Sequence, residues 1–499
     1  MHHVRNITVR MESVASRNSF WSIQLNISIT LLVMAIVSTG LTGGGIATLT
    51  VVLSTLPGLM ITTFQLIRRE REIFHPLLFL HLTILFGVTI QSAYLVYFDD
   101  GTHRFSLGRI VDGQSLLVGV SAICLGVFFL LLGFSKTGRT SVRSNKNIRT
   151  SVNEKRVIIL SFICLLIGGA SLLYYASVFS VLDNLATQFS VKRRFVSDQT
   201  GISSTLTWVR FGVNFCQLAF FISYATYLRS NSGNKKLLGR IAFIACLAGV
   251  VLPFIASSRL GLITFLLGGA MIHHFSTNGW SVKRLQGIGV FVLLTIMVMG
   301  GLRYAQTRSI TLANYMYDTS ITQMVEPIVG SSNFLAIGKT SAVIEGVPTV
   351  MDFEYGRTYL LWLIAPIPRS MWEDKPIVRI GAEVGAALFG TTLRGGVPPG
   401  VIGELFLNFG WLGIPTGMLV FGLFLGLIHT RYGLRAYSDF RARVIYSSVI
   451  VFLAFSGPSS DFTGMIGMTL QRLVPLLLML AFVCRKSVPL RLKRAHSAI

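Results

Sequence analysis

Residues 115–134 read SLLVGVSAICLGVFFLLLGF, a stretch without a single charged side chain. A helix needs about 20 predominantly apolar residues to cross the hydrocarbon core of a bilayer. Because this run has that length and no charge, it predicts a transmembrane helix.

The same composition continues along the chain. Of its 499 residues, 52% are hydrophobic and only 13% are charged, and the mean hydropathy is +0.65, which excludes an ordinary soluble domain. The runs predict an all-α polytopic membrane protein with about 12 transmembrane helices, forming a single integral-membrane domain over residues 1–499. The predicted spans lie near 20–38, 44–67, 74–97, 115–134, 157–180, 205–228, 241–256, 260–275, 286–301, 401–428, 443–456 and 470–484.

Basic residues are concentrated in every second loop between these runs. By this pattern 28 of the 44 Lys and Arg residues fall on one side of the membrane, together with only five acidic residues. Cytoplasmic loops of membrane proteins collect Lys and Arg, so this side is expected to be the cytoplasm and to hold both termini. Most of the net charge of +24 thus reflects topology, and we expect no nucleic-acid partner.

The cysteines and histidines give no sign of a disulfide, a metal site or a cofactor. All five cysteines lie inside or at the ends of apolar runs, and no Cys/His spacing typical of metal ligands occurs. The scattered histidines, such as His81, His273 and His274, are expected to be structural or to lie in the cytoplasm.

One outward loop, residues 302–400, is too long to be a simple connection, since loops beyond about 15 residues are usually functional or disordered. Its aromatic residues, which include Tyr315, Phe353 and Trp372, argue against disorder. The segment 358–366 (TYLLWLIAP) is apolar but too short to cross the membrane. It predicts a short helix lying at the membrane interface.

Arginines cluster in this loop and in the outward loop 181–204. A guanidinium matches phosphate oxygens bidentately and stays charged at any pH, so arginines in this setting indicate a pyrophosphate ligand. Arg472 stands out because it lies about two residues inside the last apolar run, where an ionisable group is costly and indicates function. The predicted pyrophosphate-binding residues are Arg369, Arg379, Arg472, Arg193, Arg194, Arg210, Arg303, Arg394 and Lys375.

Acidic residues on the same side are candidates for a general base. Glu404 lies near the outer end of the tenth predicted span and is the first candidate, and Asp461 is the second. Asp374 and Glu373 follow them. Ion pairing of Glu404 with a neighbouring arginine is an equally good reading of that residue.

Two segments of the chain resemble the oligosaccharide repeat-unit polymerases, the Wzy family that joins O-antigen or capsular repeats on polyprenyl carriers. They are the proline-flanked Arg369/Trp372/Lys375 segment and the segment 403–410 (GELFLNFG) that opens a late span. The many-span layout with one dominant late outward loop is also similar. Some members carry an arginine followed eleven residues later by glycine, as Arg379 and Gly390 do, whereas Arg193 leads to Ser204 and Arg194 to Thr205.

The resemblance implies a lipid-linked-sugar-dependent glycosyltransferase with a GT-C-like fold and no cofactor. It would join undecaprenyl-pyrophosphate-linked oligosaccharides on the periplasmic face of the bacterial inner membrane. It would act among membrane lipids, and a chain-length regulator protein is a candidate partner.

Two other functions fit the same layout. An O-antigen ligase would use the same carrier with a lipid A core acceptor, but we would expect a histidine in its large loop, and residues 302–400 contain none. A lipid-linked oligosaccharide flippase would be expected to show two similar halves, whereas this chain places its loop length late and asymmetrically.

Overall fold

The computed structural model describes residues 45–68, 70, 72–98, 111–137, 151–178, 203–255, 259–277, 334–365, 367, 371–390 and 396–485, with single residues at 287, 289, 290 and 294. The described chain is almost entirely helical. Its α-helices are α1 (Ile46–Leu53), α2 (Leu56–Arg68), α3 (Pro76–Ile84), α4 (Gln91–Tyr97), α5 (Gly113–Thr137), α6 (Glu154–Val178), α7 (Ser203–Arg229), α8 (Lys235–Ile255), α9 (Arg259–Ser276), α10 (Ile337–Gly346), α11 (Arg357–Ile364), α12 (Ile380–Phe389), α13 (Gly400–Ile428), α14 (Phe440–Val451) and α15 (Phe462–Val483).

Short irregular helices extend several of these elements. The π-helix Leu85–Ile90 joins α3 to α4, the π-helix His429–Gly433 follows α13, and the π-helix Phe452–Ser456 and a 3-10 turn at Gly457–Ser459 follow α14. Two-residue strands β1 (Ser151–Val152) and β2 (Cys484–Arg485) pair antiparallel and tie the start of α6 to the end of α15.

Seven helical segments of the described chain are long and apolar enough to cross a membrane. They match the second to fifth and the tenth to twelfth predicted spans. The sixth to eighth predicted spans correspond to the helices α7, α8 and α9, which are not among these seven segments. The first predicted span and most of the ninth lie outside the described residues. The described part of the chain is therefore almost entirely helical, with apolar segments suited to a membrane, and the count of twelve spans stays a prediction.

The last span begins at Phe462, well before the predicted start near 470. Hydropathy missed the first turns because they contain Thr463 and Thr469. These hydroxyls bond to carbonyls, Thr463 to Thr358 O at 3.2 Å and Thr469 to Met465 O at 2.7 Å, so they cost little within a membrane helix. Arg472 consequently lies at the middle of this span, and its predicted position near the start was wrong.

Glycines allow α5 and α13 to pack closely. A Cβ at Gly133 would lie 2.1 Å from the carbonyl oxygen of Leu419, and one at Gly422 would lie 2.0 Å from that of Leu130. Since lipid-facing helices gain no hydrophobic drive from association, such close backbone contact is a principal source of their packing energy. These contacts fix α13 against the centre of the bundle.

The helix α13 is folded back on itself at Gly410. This residue has φ 60° and ψ −148°, a conformation that residues with a Cβ rarely adopt. The carbonyl oxygen of Leu405 approaches the Cβ position of Gly413 to 2.3 Å, and its side chain approaches that of Gly417 to 2.0 Å. Residues 12 apart would be about 18 Å apart along a straight helix. The continuous helix expected over 401–428 is therefore a hairpin with a short arm at 400–409 and a long arm from 411.

Part of the predicted large outward loop lies inside the bundle. Residues 337–343, in α10, are all buried, and the backbone N–H of Leu335 donates to Thr83 Oγ1 in α3 at 3.1 Å. Ser341 packs against Gly119 of α5. The segment escaped hydropathy analysis because α10 is short and rich in small polar residues. Its burial beside the short arm of α13 helps to build the site described next.

Candidate functional site

Glu404 and Asp461, which we call the acid pair, meet at the N-terminus of α15. Glu404 projects from the short arm of α13, and its Oε2 accepts a hydrogen bond from the backbone N–H of Phe462 at 2.6 Å. Asp461 is the N-cap of α15, and its Oδ1 accepts from the N–H of Gly464 at 2.7 Å. The positive end of the helix dipole and the free N–H groups of the first turn favour carboxylates at this point.

The second carboxyl oxygen of Glu404, Oε1, has no well-aligned hydrogen bond in the described chain, although the residue is only 1% exposed and the Thr358 side chain interacts with the carboxyl group. No lysine or arginine of the described ranges lies within ion-pair distance of Glu404. The arginine pairing considered from the sequence is therefore absent there. A buried oxygen without a well-aligned donor is costly, and a catalytic role is one explanation for such a position.

Polar groups hold the short arm in place around Glu404. Asn408, one turn later, donates from Nδ2 to Thr358 Oγ1 and to the carbonyl oxygen of Glu404, both at 2.8 Å. Its Oδ1 accepts from the N–H of Gly356 at 2.9 Å. This network joins the start of α11 to the short arm, so the position of Glu404 is determined by three separate parts of the chain.

Tyr359 covers the acid pair from α11. Its ring meets that of Phe462 edge to face with centroids 4.9 Å apart. Burial, together with the nearby charge of Glu404, raises the pKa of Tyr359 well above its usual range. The phenol thus stays protonated and available as a hydrogen-bond donor at any physiological pH.

Arg379 approaches the first turn of α15 near Asp461 and has no hydrogen-bond or ion-pair partner among the described residues. It precedes α12, and its Nη2 lies 4.0 Å from the Cβ position of Gly464, the residue whose N–H caps Asp461. The side chain is exposed, and no hydrogen bond or ion pair to it occurs within the described ranges. Within the described chain its guanidinium is therefore available to an anion that approaches the first turn of α15.

Arg357, on the same side of the molecule, differs from Arg379 because its guanidinium is paired with carboxylates. Its guanidinium is shared between Glu354 and Glu383, with Nη2 2.6 Å from the Glu383 carboxylate. The hydrogen bonds that Arg357 donates to the Glu354 carboxylate are the main reason that the pKa of Arg357 is raised. Arg357 is a paired arginine that joins the start of α11 to α12, and it serves below as a control.

Lys339 was not among the predicted site residues. It belongs to α10, is 0% exposed, and donates from Nζ to the carbonyl oxygen of Ser459 at 3.1 Å, two residues before Asp461. A lysine in a short, mostly uncharged segment was the available sequence signal. Its ammonium places positive charge below the N-terminus of α15.

The other predicted residues are distributed more widely. Lys375 is buried and donates to the carbonyl oxygens of Ala365 and Ile367 at 3.0 and 2.7 Å, so it caps the end of α11. Arg472 lies at the middle of α15 with its guanidinium 5.0 Å from the centre of the Phe452 ring. Asp374 and Glu373 are exposed. Five predicted arginines lie outside the described residues, namely Arg193, Arg194, Arg303, Arg369 and Arg394. Arg210 belongs to α7, but its side chain is not described.

This arrangement offers two complementary functions within one small region. Glu404 presents an acceptor oxygen that could take a proton, and Arg379 presents a fork of donors that fits phosphate oxygens. No family model matches the chain, and neither curated proteins nor solved structures include one that is similar to it. The resemblance to the repeat-unit polymerases thus stays an expectation.

Proposed function

We propose that the chain is a polymerase of lipid-linked oligosaccharide repeat units. In this reaction the bond between sugar C1 and the pyrophosphate of one undecaprenyl carrier breaks, and C1 bonds to a hydroxyl oxygen of a second lipid-linked repeat. The hydroxyl proton passes to a base, and the first carrier leaves as undecaprenyl pyrophosphate. Donor and acceptor thereby become one longer lipid-linked oligosaccharide.

The convergence of the acid pair with Arg379 is the observation that carries this proposal. Glycosyl transfer from a pyrophosphate develops negative charge on the leaving group while the sugar becomes cationic. A guanidinium that is not neutralised by a carboxylate is available to stabilise that leaving charge. Arg379 meets this condition in the described part of the chain and Arg357 does not.

Glu404 is the proposed base. Its Oε2 is held by the Phe462 N–H while Oε1 has no well-aligned donor among the described residues, so the group is oriented and keeps a lone pair for a proton. Asp461, beside it, is the second candidate, with its Oδ1 occupied by the Gly464 N–H. Tyr359 is placed to donate a hydrogen bond to a sugar hydroxyl.

The remaining arginines enter the proposal because the sequence predicts that they bind the pyrophosphate. Arg369, Arg394, Arg303, Arg193, Arg194 and Arg210 are expected to reach the same pyrophosphate, and Arg472 to act deeper along α15. The positive-inside pattern supports a site on the periplasmic face of the bacterial inner membrane. The fold would be GT-C-like, and a chain-length regulator remains a candidate partner.

The surface glycan of a deletion strain tests the proposal. A polymerase mutant should attach a single repeat to lipid A and lose the ladder of longer chains, and the intact gene should restore the ladder. A strain without any attached repeat would instead indicate a ligase or a flippase. Unchanged long chains would refute all three functions.

A further inference from the structure

A second buried polar cluster lies at the other end of α13 from its hairpin turn. It consists of Glu70 in the connection between α2 and α3, His75 at the N-cap of α3, and His429 at the end of α13. One ligand atom from each lies within 4.8 Å of the others. His75 is 0% and His429 3% exposed, and their ring centroids are 4.4 Å apart.

Both histidines direct an unpartnered nitrogen into this cluster. The Nε2 atoms of His75 and His429 are buried, and neither has a hydrogen-bond partner in the described chain. Two such atoms side by side are unusual because buried polar groups are nearly always paired. A cation between them would satisfy both.

The hydrogen bonds of His429 leave a lone pair on its Nε2. Tyr446 donates its hydroxyl hydrogen to the carbonyl oxygen of Phe74 at 3.2 Å. The contact of 2.8 Å between Tyr446 Oη and His429 Nδ1 therefore has the imidazole as donor. With the proton on Nδ1, Nε2 is a free acceptor, and the tyrosine orients the ring as second partners do for metal-binding histidines.

His75 reaches the same state after one local change. Its Nδ1 now accepts from the N–H of Leu77 at 3.2 Å and lies 3.3 Å from the Gln65 amide nitrogen, and both contacts are long. Gln65 Oε1 has no hydrogen-bond partner among the described residues. A half-turn of this amide lets Oε1 accept a proton from Nδ1, which frees the lone pair of Nε2 and gives up the long hydrogen bond from the Leu77 N–H.

Glu70 completes the ligand set. Its Oε2 lies 4.0 Å from His75 Nε2, which is too far for a hydrogen bond. Two ligand atoms that bind a tetrahedral zinc ion at about 2.1 Å lie about 3.4 Å from each other. A small inward movement of the three side chains would therefore bring their ligand atoms to this distance. The nearby Arg68 donates to the Ser135 carbonyl oxygen at 2.8 Å and forms no ion pair with Glu70.

We propose that Glu70, His75 and His429 bind a divalent transition metal ion, with Zn²⁺ as the best fit. Two imidazoles and one carboxylate are ligands that Zn²⁺ accepts, with water in the fourth position. The ion ties the connection between α2 and α3 to the end of α13. Sequence spacing gave no sign of it because the ligands come from distant parts of the chain.

Metal analysis of the full-length protein tests the site. The protein is purified in detergent without a histidine tag, incubated with Zn²⁺, dialysed and analysed by mass spectrometry of the elements. We expect about one zinc per chain, and close to none in His75→Ala or His429→Ala. The matched control His273→Ala, which removes a histidine bonded to Tyr224 instead, should retain the zinc.

A milder variant keeps the test decisive if the alanine variants do not fold. Tyr446→Phe retains the ring and the ligands but removes the group that orients His429, so zinc affinity should fall about 10- to 100-fold. Co²⁺ added to the wild-type protein should give the visible spectrum of a tetrahedral site. A metal-free wild-type protein, or equal zinc content in all variants, would overturn the proposal.

Discussion

Glu404 and Asp461 each accept a hydrogen bond from the first turn of α15, which Arg379 also approaches, so a structural and a proposed chemical role overlap in the same atoms. Glu404 gives Oε2 to the Phe462 N–H, and Asp461 gives Oδ1 to the Gly464 N–H. Loss of activity on removing either side chain would therefore be ambiguous. Variants that keep the acceptor oxygen and remove only the ability to take a proton separate the two roles.

Glu404→Gln is such a variant. The amide oxygen still accepts from the Phe462 N–H, so α15 and the thermal unfolding temperature in detergent should change little. Chain growth should fall by about 10²- to 10⁴-fold, the usual contribution of a general base. The measurement is the rate of oligomer formation from purified lipid-linked repeats. Growth at the wild-type rate would remove Glu404 from the mechanism.

Arg379→Lys tests the proposed pyrophosphate contact. Lysine keeps the charge but loses the planar pair of donors, and we expect growth to slow by about 10- to 100-fold. Arg357→Lys is the matched control, since that guanidinium is already shared by Glu354 and Glu383 and the partly exposed pairs contribute about 1 kcal/mol or less. Equal effects of the two substitutions on growth would contradict a specific role for Arg379.

Residue types and positions allowed Glu404, Asp461 and Arg379 to be named from the sequence. Their proximity could not be predicted, because it depends on the turn at Gly410 and on the start of α15 at Phe462. Lys339 and the cluster of Glu70, His75 and His429 were missed for a similar reason. Their neighbours are distant in sequence, so no local spacing reveals them.

At the scale of elements, the hairpin in α13 determines where Glu404 lies. In a straight helix from 400 to 428, Glu404 would continue the axis of the span and would not meet the start of α15. The turn reverses the short arm, and Asn408 then fastens it to α11 through Thr358. Hydropathy detects the apolar run of α13 but cannot show that the chain reverses its direction within this run.

Gly410→Ala tests this element. Space is not the obstacle, since the nearest atom to a Cβ there is on Phe353 at 3.6 Å, but the backbone conformation disfavours any Cβ. We expect a loss of stability of about 1–3 kcal/mol, measured by unfolding in detergent. Gly467→Ala, at a helical position with nothing within 4 Å of the Cβ, is the control and should be neutral or slightly stabilising. Equal stability of both variants would argue against the strained turn.

For the whole molecule, composition was sufficient to predict an all-helical membrane protein, and seven of the predicted spans are found as long apolar helices. What composition could not predict is that residues 334–346 of the supposed outward loop pack within the bundle. Their burial depends on complementary glycines such as Gly119, which has Ser341 against it. The two ends of the described bundle carry different groups of polar side chains. The acid pair and Arg379 lie at one end, and the cluster of Glu70, His75 and His429 lies at the other.

The central claim is that one site joins lipid-linked repeats and releases the carrier, and reconstitution tests it most directly. The purified protein in liposomes receives undecaprenyl-pyrophosphate-linked repeats as its only substrate. We predict a ladder of longer lipid-linked oligomers, with one undecaprenyl pyrophosphate released for each repeat added, and no ladder with Glu404→Gln. Active wild-type preparations that move or consume the lipid-linked repeat without forming any dimer of repeats would contradict the account.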